Sequence, residues 1–174
     1  MTAFYYITKY LTFPGAYARC FWEQIICRIC KVPVEDNRYL RQDELAGHVD
    51  HELMPTARSA FAFCFVPAFF NAIGALLLAI FPVVFLFFYG TTNVLLAIAC
   101  AVSYWLSVSL FVNSYSLVED AINMKENVYK QGNILQKIFY SPALVILYIG
   151  SYLESYGITF IAAVIATVAM AVAL

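Results

Sequence analysis

Charged residues are almost absent from two long stretches of the chain. Residues 59–118 contain no Asp, Glu, Lys, Arg or His, and residues 138–174 contain only Glu154. Charged residues make up 12% of the sequence, whereas soluble domains carry roughly 25%. Uncharged runs of this length exceed what the core of a soluble domain needs. The sequence therefore predicts an integral membrane protein.

The lack of excess basic charge and the small number of cysteines each exclude a class of protein. The net charge is −1, so the chain lacks the basic excess that a nucleic-acid partner would require. There are only five cysteines, an odd number, and most of them lie in apolar runs. A disulfide framework is therefore not expected, and we interpret these thiols as small buried hydrophobic side chains.

The order of apolar and polar segments predicts an all-α, polytopic membrane protein with four to five transmembrane helices plus amphipathic or interfacial helices. We expect a single membrane domain over residues 1–174. Its parts are an N-terminal interfacial or membrane-embedded helix (1–31), a polar segment (32–58), a helical hairpin (61–112), a second polar segment (113–137) and a second hairpin (138–174).

The distribution of basic residues predicts the orientation in the cell membrane. All ten Lys and Arg residues lie in the N-terminal part or in the two polar segments. Cytoplasmic loops carry an excess of Lys and Arg. We therefore expect the polar segments 32–58 and 113–137, together with the C-terminus, to be cytoplasmic.

Local patterns predict the elements of the first part of the chain. A helix is expected over residues 14–31, and extended chain is expected around Pro33. Acidic residues near its start and Pro55 after its end predict a short helix over residues 42–54.

The apolar part of the chain is expected to begin with an interruption. Three residues that disturb helices predict a broken or re-entrant piece before a clean span over residues 69–89: Pro67, Asn71 and Gly74. A second span is expected over residues 94–112, and the spacing in residues 117–130 predicts a helix along the surface.

The helix over residues 14–31 carries ionisable groups among large apolar side chains. Arg19 and Glu23 are four residues apart, so they share a helical face and can form an ion pair. Cys20 lies on a neighbouring stripe. Ionisable groups inside a membrane are costly and usually functional, whereas on an interfacial helix they are simply solvated. The pattern alone leaves both interpretations open.

Two histidines and a carboxylate form a second candidate site in the first polar segment. On a helix, His48, His51 and Glu52 would share one face. Neutral imidazoles with a carboxylate suit Zn²⁺, the one cofactor that the sequence indicates. The spacing differs from the H-E-x-x-H metallopeptidase motif, in which the two histidines are four residues apart. The alternative interpretation is a solvated helix with two surface histidines.

Three short motifs and the order of the elements resemble a known family. Residues 12–15 read Thr-Phe-Pro-Gly, residues 27–32 read Cys-Arg-Ile-Cys-Lys-Val, and Asp120-Ala121 follows the span over residues 94–112. Together they resemble a family of small membrane proteins akin to the site-2 intramembrane zinc metallopeptidases. In that family an H-E-x-x-H helix lies between the first two motifs, and a third metal ligand follows the later span.

The resemblance implies a metal site whose ligands are replaced in this chain. In register, the first zinc histidine corresponds to Arg19, the general-base glutamate to Cys20 and the second histidine to Glu23, while the third-ligand aspartate corresponds to Asp120. Arginine stays protonated in proteins and has no lone pair to offer Zn²⁺. We therefore expect Arg19 to form an ion pair with Glu23 or Asp120 at this position, facing the protein interior.

The sequence leads to a functional hypothesis and to a rival from another class. The leading hypothesis is a non-catalytic, metallopeptidase-like accessory, regulatory or scaffold subunit. Its partners are the lipid bilayer and other membrane proteins or further copies of the chain. The rival is a metal-dependent membrane metallopeptidase that uses His48, His51 and Glu52 with Glu23 or Asp120. A transporter is a weaker third hypothesis, because the central spans carry no charge.

Overall fold

The computed structural model describes residues 3–36, 49–89 and 93–173, and these residues are almost entirely helical. The elements follow one another as α1 (Ala3–Leu11), α2 (Phe13–Cys30), β1 (Val34–Asp36), β2 (Asp50–His51), α3 (Ala57–Tyr89), α4 (Val94–Val112), α5 (Val118–Gln131), α6 (Ile134–Ser155) and α7 (Ile158–Ala173). The predicted helical class is confirmed, and one small ribbon is the exception among these residues.

The first two helices are separated by a single residue, Thr12. Pro14 falls in the first turn of α2, where its missing N–H costs no helical hydrogen bond. The helix ends at Cys30 because Lys31 adopts the left-handed conformation, with φ at 57°. The helix predicted over residues 14–31 is confirmed, with its ends shifted by one residue.

The third helix runs without interruption from Ala57 to Tyr89. The predicted break before residue 69 is wrong. Pro67 is buried inside the helix and removes one backbone donor without ending the ladder. The side-chain amide of Asn71 donates to the carbonyls of Gly15 and Asn113, so it does not compete with the backbone hydrogen bonds of α3. Packing against those helices therefore outweighs the local preference of these residues.

The fourth and fifth helices together run along α3. In the second half of α3, the Ser103 hydroxyl donates to the carbonyl of Leu78 at 2.9 Å. Just before its start, the Asn127 amide of α5 donates to the carbonyl of Met54 at 3.0 Å. The path of α5 therefore continues that of α4, antiparallel to α3, as a hairpin with an extended second arm. Its inner face is buried, so the surface helix predicted here is solvated on one side only.

The last two helices contact each other but pack mainly on different neighbours. α6 lies along α5 and the first turns of α3, where the Tyr140 ring stacks on Phe61 with 4.0 Å between centroids. α7 lies along α4, where Ala163 packs with Val108. Gly157 joins α6 to α7 with φ at 75°, a left-handed conformation that favours glycine.

An antiparallel ribbon forms where the sequence predicts a helix over residues 42–54. β1 pairs with β2 so that Val34 lies opposite His51, and residues 37–48 lie outside the described residues. Val49 is fully buried and the His51 side chain is 2% exposed. Pairing with β1 requires an extended chain at residues 50–51. The helix prediction is therefore wrong for the described end of this segment.

Three helices in the described part of the chain are long and apolar enough to cross a membrane, judged by length and composition: Ala57–Phe85, Val94–Val112 and Ile134–Ser155. Their outward faces carry large exposed apolar side chains such as Phe69 and Ile138. These features agree with the predicted membrane class. A separate buried core joins α2, α3, α5 and α6, and the candidate site lies beside it.

Candidate functional site

Arg19 and Glu23 form an ion pair in the protein interior. Both side chains are 0% exposed, and Arg19 Nε lies 3.4 Å from Glu23 Oε1 across one turn of α2. The prediction that these residues face the interior and pair with each other is confirmed. Cys20 beside them is also fully buried. The solvated-helix interpretation of this stripe is therefore wrong.

Glu154 joins this pair from the last turn of α6. Its Oε1 accepts hydrogen bonds from Arg19 Nη1 at 3.0 Å and from Lys9 Nζ of α1. Sequence reasoning missed Glu154 because Glu-Ser-Tyr-Gly is typical of a turn. The one available signal was its isolation: a lone charge in an apolar run needs a buried partner, and Glu154 is the single charge of residues 138–174. We call Lys9, Arg19, Glu23 and Glu154 the arginine cluster.

The formal charges of the arginine cluster balance. Two cations, Lys9 and Arg19, face two carboxylates, Glu23 and Glu154. Moving an unpaired ion from water into a protein interior costs several kcal/mol, and pairing with hydrogen bonds offsets that cost. The arrangement therefore keeps four ionisable groups buried without a net local charge.

Asparagine side chains support the arginine cluster where helices are interrupted. The Asn113 side-chain oxygen accepts from Lys9 Nζ at 2.7 Å, and its amide nitrogen donates to the carbonyl of Thr12 at 2.9 Å. The Asn71 amide donates to the carbonyl of Asn113 at 2.9 Å. Backbone groups freed at a helix interruption need internal partners in an apolar environment. These side chains supply them at the α1–α2 and α4–α5 junctions.

A close backbone contact holds α2 against α4 next to the cluster. The Gly15 N–H donates to Ser109 Oγ at 2.7 Å, and the same hydroxyl donates to the carbonyl of Thr12 at 2.8 Å. A Cβ atom at Gly15 would lie 1.9 Å from the Ser109 carbonyl oxygen. The small residue in the Thr-Phe-Pro-Gly turn is therefore required by the helix packing.

A second ionic contact joins the ribbon to α5. His51 Nε2 lies 3.4 Å from Asp120 Oδ1, and His51 Nδ1 is 2.6 Å from the carbonyl oxygen of Glu52. The imidazole meets the Phe63 ring at an angle, with 4.3 Å between centroids. We call His51 and Asp120 the histidine pair.

The surroundings of His51 raise its pKa above the ordinary value. Burial is the largest single influence and disfavours the imidazolium, but the close contact with Asp120, the contact with the Glu52 carbonyl and the nearby carboxylates together outweigh it. The carboxylates of Asp120 and Glu23 add electrostatic attraction. The protonated form of His51 is therefore stabilised in the folded protein.

The ribbon folds back onto α2 beside the arginine cluster. The N–H of Val49 donates to Glu23 Oε2 at 3.3 Å. Glu23 thus contacts Arg19 through one oxygen and the ribbon backbone through the other. This contact brings the first polar segment next to the helix that the resemblance assigns to the metal site.

The two described residues of the predicted histidine site, His51 and Glu52, do not lie on a helix. His51 turns inward to Asp120, whereas Glu52 is exposed. His48 lies outside the described residues. Within the described ranges, no group of three or more His, Cys, Asp and Glu side chains is arranged to hold a metal ion.

The arrangement is suited to holding helices together, because its charged side chains join α1, α2 and α6. Zinc does not fit the positions of Arg19, Cys20 and Glu23, because a guanidinium fills the first and pairs with the third. Cys20 and the four other cysteines are free thiols. Comparison of the chain with protein-family models, with curated proteins and with solved structures finds no significant match.

Proposed function

We propose that the chain is a non-catalytic, site-2-metallopeptidase-like membrane protein that acts as an accessory, regulatory or scaffold subunit by binding other membrane proteins. The observation that carries the proposal is the buried guanidinium of Arg19 between the carboxylates of Glu23 and Glu154. A permanent cation with its own counter-ions stands where the related enzymes would place their first metal ligand.

The membrane arrangement belongs to the same proposal. We place four to five helices in the bilayer: α3, α4, α6 and α7, with α2 as the fifth. The polar segments 32–58 and 113–137 and the C-terminus then lie in the cytoplasm. Supporting this, α2 buries its polar stripe and exposes Phe13, Tyr17 and Phe21, as a lipid-facing helix does.

The zinc content of the purified protein tests the proposal. We expect no stoichiometric zinc in the wild-type chain. In the rebuilt variant, Arg19→His, Cys20→Glu and Glu23→His together restore the H-E-x-x-H spacing, and Asp120 offers a third ligand. Zinc bound by the rebuilt variant and not by the wild type would support the relationship to the metallopeptidases. Stoichiometric zinc in the wild type would contradict the non-catalytic function.

A second candidate function is a metal-dependent membrane metallopeptidase using His48, His51 and Glu52 with Glu23 or Asp120. The observation that favours it is the approach of two ligand-type atoms, His51 Nε2 and Asp120 Oδ1, to 3.4 Å. The ribbon that carries His51 also contacts Glu23. This function requires a metal ion held partly by the ribbon.

Removing the histidines separates the two functions. The metallopeptidase predicts stoichiometric zinc in the wild type that is lost when His48→Ala and His51→Ala are combined. It also predicts peptidase activity that disappears with the metal. The non-catalytic function predicts the same metal content and the same partner binding in both proteins. Asp50→Ala is a matched control, because it changes the same strand without removing a candidate ligand.

A further inference from the structure

Helices α5 and α6 lie side by side, yet their outward faces have opposite chemistry. The exposed face of α5 carries charged side chains: Glu119, Lys125, Glu126 and Lys130. The exposed face of α6 is apolar along its length: Ile134, Leu135, Ile138, Phe139, Val145, Ile146, Ile149 and Leu153. Two neighbouring faces of this kind require two different surroundings.

The apolar exposure is greatest at the start of α6. Phe139 is 82% exposed, Ile134 77% and Leu135 75%. Water around such a group of side chains is unfavourable. The apolar face also continues onto α3, because Tyr140 stacks on Phe61 and Phe61 stacks on Phe65. The patch is therefore part of the same surface as the outward side of the longest apolar helix.

The charge next to this patch is positive. Lys137 lies within the first turns of α6 and has no ionic partner among the described residues. Lys130, at the end of α5, is instead paired with Glu126 at 2.7 Å. The one acidic residue of α6, Glu154, is buried in the arginine cluster. An apolar face bordered by an uncompensated lysine is complementary to an anionic lipid surface.

We propose that the outer face of α6 contacts the acyl chains of an anionic phospholipid leaflet, with Lys137 among the headgroups, while the outer face of α5 contacts water. This inference rests on the membrane location proposed above, and it holds whether or not the chain binds zinc.

Tryptophan fluorescence in lipid vesicles tests the contact with acyl chains. Phe139→Trp is compared with Tyr129→Trp, a matched aromatic replacement on the exposed face of α5, in vesicles of brominated phosphatidylcholine and phosphatidylglycerol. We expect the added fluorescence at position 139 to be quenched at least about twofold more strongly than that at position 129. Equal quenching at both positions would overturn the proposed contact of α6 with acyl chains.

The wild-type fluorescence comes from Trp22 on α2 and Trp105 on α4, and it serves as an internal reference because the Trp105 side chain is half-exposed on a span candidate. Quenching of the wild-type protein shows that the chain is in the bilayer. If the wild type is quenched and position 139 is not, the inference is overturned and a protein partner covers α6. If the wild type is not quenched, the proposed membrane location itself fails.

Lipid retention tests the role of Lys137. The protein is purified from vesicles containing phosphatidylglycerol and phosphatidylcholine, and the ratio of the two lipids retained is measured. Lys137→Gln should lower the phosphatidylglycerol preference about fivefold, the contribution of one lysine near an anionic surface. Lys130→Gln should change it less, because Glu126 already compensates that charge. Equal losses, or no loss for Lys137→Gln, would overturn the assignment of Lys137.

Discussion

The arginine cluster and the histidine pair differ in the cation that each contains. The guanidinium of Arg19 stays charged at every physiological pH, and its side chain is fully buried. The imidazole of His51 can gain or lose its proton, with a pKa raised above its ordinary value, and a two-stranded ribbon brings it to Asp120. The charge of Arg19 in the arginine cluster is therefore permanent, whereas the charge of His51 in the histidine pair depends on pH.

This difference assigns the two functional hypotheses to different parts of the molecule. The arginine cluster joins α1, α2 and α6 and supports the non-catalytic function, because its charges are already balanced. The histidine pair joins the ribbon to α5, and it is the observation that favours the metallopeptidase hypothesis. Variants that affect one contact and spare the other separate the hypotheses.

The largest effect is expected from Glu154→Gln, which removes the carboxylate shared by Lys9 and Arg19. Two buried cations then compete for Glu23, and breaking a buried ion pair costs about 3–5 kcal/mol. The free energy of unfolding in detergent measures the loss. Glu119→Gln on the exposed face of α5 is the control and should change stability little. A loss as small as that of the control would show that the cluster does not stabilise the fold.

A smaller effect is expected from Gly15→Ala, because the new Cβ would collide with the Ser109 carbonyl. Overpacking of this kind typically costs about 1–3 kcal/mol. Gly74→Ala is the matched control: its Cβ would lie 3.0 Å from the Leu110 Cδ1 atom, at the end of a flexible side chain. Thermal unfolding should separate the two variants. Equal midpoints would mean that the α2–α4 contact is looser than the structure has it.

The histidine pair should make stability depend on pH in a defined direction. The pKa of His51 is raised in the folded state, so its stabilisation is complete below the ordinary value near 6.5 and is lost as the pH rises through the folded-state pKa. Unfolding measured across this range should show the trend in the wild type and lose it in His51→Gln. A trend of the same size in His51→Gln would assign it to another group.

The smallest effect is expected from Lys130→Gln on the surface of α5. The carboxyl pKa of Glu126 is lowered by its hydrogen bond with Lys130, yet both side chains are mostly exposed. Exposed ion pairs are weakened by water and salt. We expect no measurable shift of the unfolding midpoint. A shift comparable to that of Glu154→Gln would mean that the exposed ion pair stabilises the fold as much as the buried arginine cluster does.

Helices set by local patterns could be predicted well from the sequence. The span over residues 94–112 and the helix over residues 117–130 are found within one residue of their expected ends. The break at Pro67 was wrong because packing against neighbouring helices overrides one lost hydrogen bond. The helix over residues 42–54 was wrong at its described end because strand pairing joins Val34 to His51, and no local period reveals such a partner.

The candidate site was predictable only where its partners are close in sequence. Arg19 and Glu23 are one helical turn apart, so their pairing follows from the spacing. Glu154 and Asp120 lie on helices that are distant in the sequence, and their positions depend on how α5 and α6 pack in the fold. The resemblance directed attention to Asp120, whereas Glu154 had only its isolation as a signal.

The uninterrupted α3 is longer than the hydrocarbon core of a bilayer is thick. Its 33 residues extend for about 50 Å at 1.5 Å per residue, whereas the hydrocarbon core of a bilayer is about 30 Å thick. A tilt of about 40°, the upper end of the usual range, still leaves about 38 Å along the membrane normal. In the membrane arrangement proposed above, α3 therefore projects about 8 Å beyond the hydrocarbon along the membrane normal. Arg58, in the first turn of α3, lies at the end that this arrangement places on the cytoplasmic side.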